Sequence, residues 1–159
     1  MKNLIKLVDG QARRVDDPWT LVREAGEGLP GGPLILPLGA WRERGGRDGL
    51  LLQPDDEVEA LVGELPDALP LIALDFPSFR DGRGYSQAYL LRTRLGWRGE
   101  LRAVGDVLRD QLAHMRQCGF DAFAVREDKC VEDALKGLAG VSVLYGRSAI
   151  EPRPLFRRR

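Results

Sequence analysis

Cysteine and histidine are scarce in this chain, which has only Cys118, Cys130 and His114. Two thiols exclude a disulfide-rich scaffold, a four-thiolate zinc site and a cysteine-ligated iron–sulfur cluster within one chain. A single imidazole removes most zinc and haem arrangements as well. No apolar run approaches the roughly 18 residues of a membrane span. The first ten residues carry Lys2, Lys6 and Asp9, too short and too soon charged for a signal peptide, so the expectation is a cytoplasmic protein with no membrane partner. Excess charge of one sign is missing too, since 24 Lys and Arg balance 24 Asp and Glu, and nucleic-acid binding gains no support. What the 159 residues do have is 43% hydrophobic content, enough for one domain with its own core.

The zero net charge hides an uneven distribution, because 20 of the 24 basic residues are Arg. From Phe76 to Arg98 five Arg (80, 83, 92, 94, 98) face the single acid Asp81, and from Arg147 to Arg159 five more face Glu151. Two readings stand for each cluster, a binding surface or a solvated face. In the tail, Pro152 and Pro154 oppose helix and favour the second.

Hydrophobic periodicity divides the chain into a hairpin and linker (1–33), a βα-repeat core (34–146) and the basic tail (147–159). Leu4 to Val8, the turn signal Asp9-Gly10 and Ala12 to Val15 read as an antiparallel strand pair. Asp17-Pro18-Trp19 then offers an N-cap and a first-turn proline for a helical turn that Gly26 and Gly28 end. Leu34 to Leu38 reads as a strand that Pro37 places at a sheet edge, and Trp41 to Asp48 as an exposed loop. Thereafter short apolar runs alternate with helical periods. The expected strands are 50–53, 71–75, 101–105, 122–125 and 142–145. Between them the expected helices are Asp56 to Leu65, one running from Gly84 to Leu95, Val107 to Cys118 with Leu108, Leu112 and Met115 buried, and Val131 to Leu138. On the second helix Arg83, Gln87, Arg94 and Arg98 fall on a basic face apart from the packing face. Strand starts 20 to 30 residues apart match βα units, whose right-handed crossovers force parallel pairing. The expected fold is therefore α/β, an open parallel sheet or a partial βα barrel, with the short antiparallel pair at its N-terminus. A complete eight-stranded barrel needs at least about 200 residues.

In either architecture the C-terminal ends of the strands gather on one edge, where ligand sites of this class form. The longest connection of the repeat lies there. Its residues Arg80, Asp81, Gly82, Arg83, Gly84, Tyr85 and Ser86 combine glycines that permit positive φ and close backbone approach, arginine forks suited to oxyanions, and the start of a helix. That makes an anion cradle, with Tyr85 near enough to donate to it. The competing reading is a plain turn with Asp81 as helix cap and solvated arginines. The loop is neither a Walker A loop nor a Gly-x-Gly-x-x-Gly fingerprint. Asp75 and Asp106 end successive strands and are the acid–base candidates, Asp106 doubling as an N-cap for the third helix and Asp75 as half of an ion pair with an arginine. Arg126 and Lys129, after the next strand, would orient an anionic substrate. Cys130 beside Lys129 is either an activated thiol or a small packing residue. Cys118 reads as packing and His114 as a surface or half-buried histidine. No metal site is implied, and no motif implies a cofactor, although a flavin needs no fingerprint.

The stretch Phe76-Pro-x-Phe-x-Asp-Gly-Arg-Gly-Tyr-Ser86, followed by Leu90-Leu-Arg92, Gly99-Glu-Leu-Arg-Ala-x-Gly-Asp-Val-Leu108, Asp110-Gln111 and Cys118-Gly-Phe-Asp121, resembles a bacterial family of unknown function. Its members are labelled as oxidoreductases involved in sulfite reduction, and their genes lie beside those of assimilatory sulfite reductase. The resemblance runs from about Leu34 to Tyr145. It implies a pathway, sulfur assimilation, with the sulfite reductase haemoprotein as partner. It carries no catalytic residues across. Two functions follow as expectations: an accessory protein that docks on the reductase or binds a sulfur oxyanion through the Arg80 and Arg83 loop, or an oxidoreductase or other enzyme working at the sheet edge. A scaffold that pairs with itself as a homodimer is the third.

Overall fold

The computed structural model describes residues 1, 3–24, 28–126 and 131–139. Its centre is an eight-stranded sheet in the order β2-β1-β8-β7-β6-β5-β4-β3. The strands are β1 (Leu4–Val8), β2 (Gln11–Val15), β3 (Thr20–Leu21), β4 (Leu34–Pro37), β5 (Gly49–Leu52), β6 (Leu71–Phe76), β7 (Glu100–Gly105) and β8 (Ala122–Ala124). From β3 to β8 all neighbours are parallel, while β1 runs antiparallel to both β8 and β2. Among the described residues four helices, α1 (Leu38–Glu43), α2 (Arg83–Thr93), α3 (Leu112–Cys118) and α4 (Val131–Ala139), accompany the strands. Among the described residues no helix is long and apolar enough to cross a membrane.

The sheet is curled into a half-barrel, and the chain itself shows why it must be. Only Asp16 to Trp19 separate the end of β2 from the start of β3, yet these strands are the two edges of the sheet. Five residue steps reach at most about 18 Å, whereas seven strand spacings in a flat sheet measure about 34 Å. The linker therefore crosses the inner face as a chord. Among the described residues the core side chains contributed by helices join one cluster on the outer face, Trp41, Leu91, Met115 and Leu138 among them. The inner face has its own small core of Ile35, Leu51, Leu71, Ala73 and Val104, covered by Met1, Trp19 and Leu21.

Polar groups hold the chord in place. Register sets Lys6 of β1, Ala122 of β8, Arg102 of β7 and Ala73 of β6 in one row, and the two alanines leave room for the guanidinium between them. Arg102 is fully buried and donates to Asp17 and to Glu100, with its Nη2 2.8 Å from Glu100 Oε2. The N-terminal ammonium donates to Asp17 Oδ1 at 3.2 Å and to Trp19 O at 3.0 Å. Burial pushes the Asp17 carboxyl up, but the hydrogen bond and charge of Arg102, helped by the ammonium, outweigh it and hold it below the usual carboxylate range.

The parallel sheet, the N-terminal hairpin and four of the five repeat strands follow the expectation, and Asp9 (φ 52) and Gly10 (φ 79) form the hairpin turn. Several local expectations fail for physical reasons. Asp17 to Val22 is extended, because the Asp17 carboxylate is engaged by Arg102 and accepts the Trp19 N–H at 3.2 Å. Pro37 lies in a strand one in from the edge. Strand β3 pairs only as far as Ile35, so the missing N–H of Pro37 leaves no gap in that ladder. Helix α1 runs three residues into the expected loop at 41–48, and its buried Trp41 donates its indole N–H to Asp48 O at 3.0 Å.

The expected helix 56–65 is a single 3-10 turn, Val58–Leu61. Val62 (ψ 123) leaves the helix, Gly63 follows at φ 79, and the Gln87 side chain takes the Gln53 and Asp56 carbonyls at 2.8 and 3.0 Å. Gln87 is thereby buried and does not join a basic face. The third helix starts later than expected, after a 3-10 turn at Arg109–Gln111; Val107 is buried there and Leu108 half-buried, and Gly119 (φ 116) caps the helix. The stop at Gly140, the strand 142–145 and the basic tail lie outside the described residues.

Candidate functional site

The C-terminal edge of the parallel strands brings together Arg23 after β3, Asp75 at the end of β6, the loop 77–82, Asp106 after β7 and Arg126 after β8. Gly105 makes this convergence possible. It has φ 94, and a Cβ there would lie 2.6 Å from Asp75 Oδ1 and closer still to the Phe76 carbonyl, so no other residue fits. The chain turns at that glycine and the Asp106 N–H donates to Phe76 O at 2.7 Å.

Asp106 then grips the neighbouring loop. Its Oδ2 accepts the Phe79 N–H at 2.7 Å, and its Oδ1 accepts from Arg126 at 2.7 Å. The Gln111 amide donates to Phe79 O at 2.6 Å, so both backbone groups of Phe79 are held from the β7–α3 connection. Asp106 therefore clamps a loop and does not cap the third helix, whose 3-10 N-terminus has no side-chain cap. The Phe79 ring is left 44% exposed, with the Arg80 guanidinium 5.4 Å from its centroid. A hydrophobic ring and a cation are thus presented on a fixed backbone.

The rest of the loop is arranged differently from an open cradle. Arg83 donates to Asp81 through its backbone N–H (3.0 Å) and its guanidinium (2.7 and 3.1 Å), and also to Asp55 at 2.6 Å. The side-chain hydrogen bond from Arg83, then its backbone N–H, hold the Asp81 carboxyl below the usual range. Gly82 is the N-cap of α2 at φ −91, and Gly84 is not in the positive-φ region either, contrary to the expectation for these glycines. Close approach is what Gly84 provides, since a Cβ there would lie 2.6 Å from the Phe76 ring. Tyr85 packs its ring 5.2 Å from Phe76 and 4.6 Å from His114, and Ser86 is exposed. Burial, followed by the neighbouring Cys118, pushes the Tyr85 phenol up.

Asp75 and Asp106 end neighbouring strands, and each carboxylate is taken by its own arginine. Asp75 is 7% exposed and accepts two hydrogen bonds from Arg23, at 3.2 and 3.3 Å. Among the described residues no cluster of three His, Cys, Asp or Glu side chains is arranged to hold a metal ion. His114 is exposed, with its Nε2 4.0 Å from the sulfur of Cys118. Burial pushes the Cys118 thiol up, which suits packing. Lys129 and Cys130 lie outside the described residues.

The five arginines of 76–98 do not form one basic surface. Arg83 is committed to two carboxylates. Arg92 turns inward, its guanidinium donating to Gly119 O, Trp97 O and Gly99 O at 2.9, 3.0 and 2.7 Å. Sequence reasoning missed Arg23, Gln111 and Phe79. Of these only Phe79 carried a signal, a large apolar side chain inside a charged loop.

These features define a half-barrel α/β protein whose strand ends carry arginine-paired carboxylates and one clamped, exposed loop. Within that class the chain belongs to the family described as bacterial protein of unknown function (DUF934), whose model matches residues 49–156. No curated protein and no solved structure matches it.

Proposed function

We propose that this chain is a cytoplasmic accessory protein of assimilatory sulfite reduction that docks on the sulfite reductase haemoprotein through the loop at Phe79 and Arg80. The observation that carries this reading is the double clamp on Phe79, whose N–H and carbonyl are held at 2.7 and 2.6 Å while its ring stays 44% exposed. Large aromatics and arginines dominate the energetics of protein interfaces. A loop already fixed in shape loses less entropy when it binds. The sulfite-reduction pathway comes from the resemblance of the Asp81-Gly-Arg-Gly-Tyr-Ser86 stretch. Within the loop, docking is favoured over capture of a free sulfur oxyanion, because Arg83 is already saturated by Asp81 and Asp55 and Arg80 is the cation left facing solvent. The acid–base enzyme has no comparable support, since Asp75 is buried against Arg23 and Asp106 is spent on the loop.

Titration calorimetry against purified sulfite reductase haemoprotein tests the proposal. Binding should weaken with salt, and Phe79→Ala or Arg80→Glu should weaken it at least tenfold, whereas Arg83→Glu should have a smaller effect. Unchanged affinity in the Phe79 and Arg80 variants would overturn it.

A further inference from the structure

Three hollows adjoin one another at the N-terminal ends of the parallel strands, on the opposite edge from the Phe79 loop. One of about 300 Å³ lies between Leu65, Leu69, Leu95 and Trp97. The next, about 450 Å³, shares Trp97 and Arg98 with it and continues past Phe120 to Leu7. The third, also about 450 Å³, shares Leu7 and Arg116 with the second and ends at Ala12, Leu135 and Lys136. Together they form a groove under five adjacent strands, β6, β7, β8, β1 and β2. Four strand spacings make it about 19 Å long, the reach of about six extended residues.

Its lining combines an apolar floor with cations whose side chains have no partner among the described residues. The side chains of Arg98, Arg116 and Lys136 have no hydrogen bond or ion pair among the described residues. Most other described arginines have a carboxylate or carbonyl partner. The acids here are Asp121, which accepts the Leu101 N–H at 2.8 Å and faces Arg92 at 3.6 Å, and Asp67 at the far end. The negative end of α3 is covered, since the Gly119 and Phe120 N–H groups take the Arg116 and Met115 carbonyls at 3.0 and 3.1 Å. Arg92, tied to three carbonyls, stiffens the floor between Trp97 and Gly119.

We propose that this groove binds an extended acidic segment of a partner protein, its apolar side chains lying on Trp97 and Leu7 and its carboxylates pairing with Arg98 and Arg116. Charge complementarity selects the occupant. A purely apolar peptide would leave two guanidinium groups without partners, whereas carboxylates accept their paired N–H donors directly. A small anion would fill one hollow of the three. The chain then has two contact regions at opposite ends of its strands, the loop at one and the groove at the other.

The test uses the full chain and a fluorescein-labelled eight-residue peptide of alternating Glu and Leu, followed by anisotropy at low salt. The peptide should bind saturably, Arg98→Glu/Arg116→Glu should weaken it at least tenfold, and Arg80→Glu should leave it unchanged. Amide NMR signals of Trp97, Gly119 and Phe120 should move on titration while Phe79 stays still, a readout that needs no variant. If the charge-reversed protein fails to fold, Arg98→Ala/Arg116→Ala should still weaken binding by threefold or more. Absence of binding, equal binding of a Lys-Leu peptide, loss of binding in Arg80→Glu, or binding of benzoate or sulfate alone would each overturn the proposal. Because the readouts at Arg80 and at Arg98 are separate, failure here leaves the docking loop untouched.

Discussion

The Asp106 carboxylate accepts the backbone N–H of Phe79 across two adjacent βα units, at 2.7 Å, and fixes the loop of one unit from the strand end of the next. Asp106→Asn keeps the size but replaces a charge-assisted acceptor with a neutral one, and also weakens the hold on Arg126. Hydrogen bonds to charged groups contribute about 1.5–3 kcal/mol when shielded, and this one is partly exposed, so a loss near about 1 kcal/mol is expected. Hydrogen exchange at the Phe79 amide should quicken at least fivefold in the variant. Unchanged protection would mean that the carboxylate does not hold the loop.

The glycines of the site should separate cleanly by alanine substitution. Gly82 has φ −91 and nothing within 4 Å of an added Cβ, so Gly82→Ala should stay within about 0.5 kcal/mol of the parent. Gly84→Ala drives a methyl into the Phe76 ring and should cost about 1–3 kcal/mol. Gly105→Ala combines positive φ with collisions at Asp75 and the Phe76 carbonyl and should cost the most. Denaturant midpoints of the three variants give the order, and a Gly82 variant worse than the Gly84 variant would contradict it.

Acid should release the chord across the inner face. The folded pKa of Asp17 lies below its ordinary value of 3.8, so its contribution is complete above that value and is lost as pH falls through the lower, folded value. Asp17→Asn leaves Arg102 buried with only Glu100 as its charged partner and should cost about 3 kcal/mol near neutrality. The gap between parent and variant should begin to close as pH falls below the ordinary value of 3.8 and go on closing through the lower, folded value. Urea melts across that range decide; a constant gap would remove Asp17 from the account of acid unfolding.

Arg92 is a staple, and its shape matters more than its charge. Lysine keeps the charge but cannot reach three carbonyls from a planar fork. Arg92→Lys should therefore lower stability by about 2 kcal/mol, comparable to losing hydrogen bonds made by a charged group. Thermal unfolding measures this, and a variant as stable as the parent would show that one ammonium suffices.

How much of this was legible in the sequence depends on the range of the forces involved. The turn at Asp9-Gly10, the strands at 71–76 and 100–105 and the cap at Gly119 are fixed by local φ preference and apolar period, and these could be read directly. Helix α1 was hidden because glycine and arginine surround its one informative residue, Trp41. The sheet edge was correctly located, and the arginine partner anticipated for Asp75 is Arg23, although 52 residues of sequence separate them. The Asp55 partner of Arg83 and the partners of Asp106, by contrast, depend on tertiary placement, and a charged loop looks the same whether its arginines face solvent or a carboxylate. The inner-face chord was unreadable for the same reason, since Asp17 has a good local role as a helix cap that Arg102, 85 residues away, overrides.

Strand β1, near the start of the chain, is paired on one side with β2 and on the other with β8, Leu4 standing opposite Ala124. During synthesis the hairpin leaves the ribosome long before its second neighbour exists. Until β8 emerges, one edge of that hairpin and the floor on which the chord rests are both incomplete. Contacts of such long sequence separation slow folding, and an unpaired strand edge is what aggregation exploits. The charged composition of β2, Gln11-Ala-Arg-Arg-Val15, serves the nascent chain as well as the finished one, keeping the outer edge of the waiting hairpin soluble.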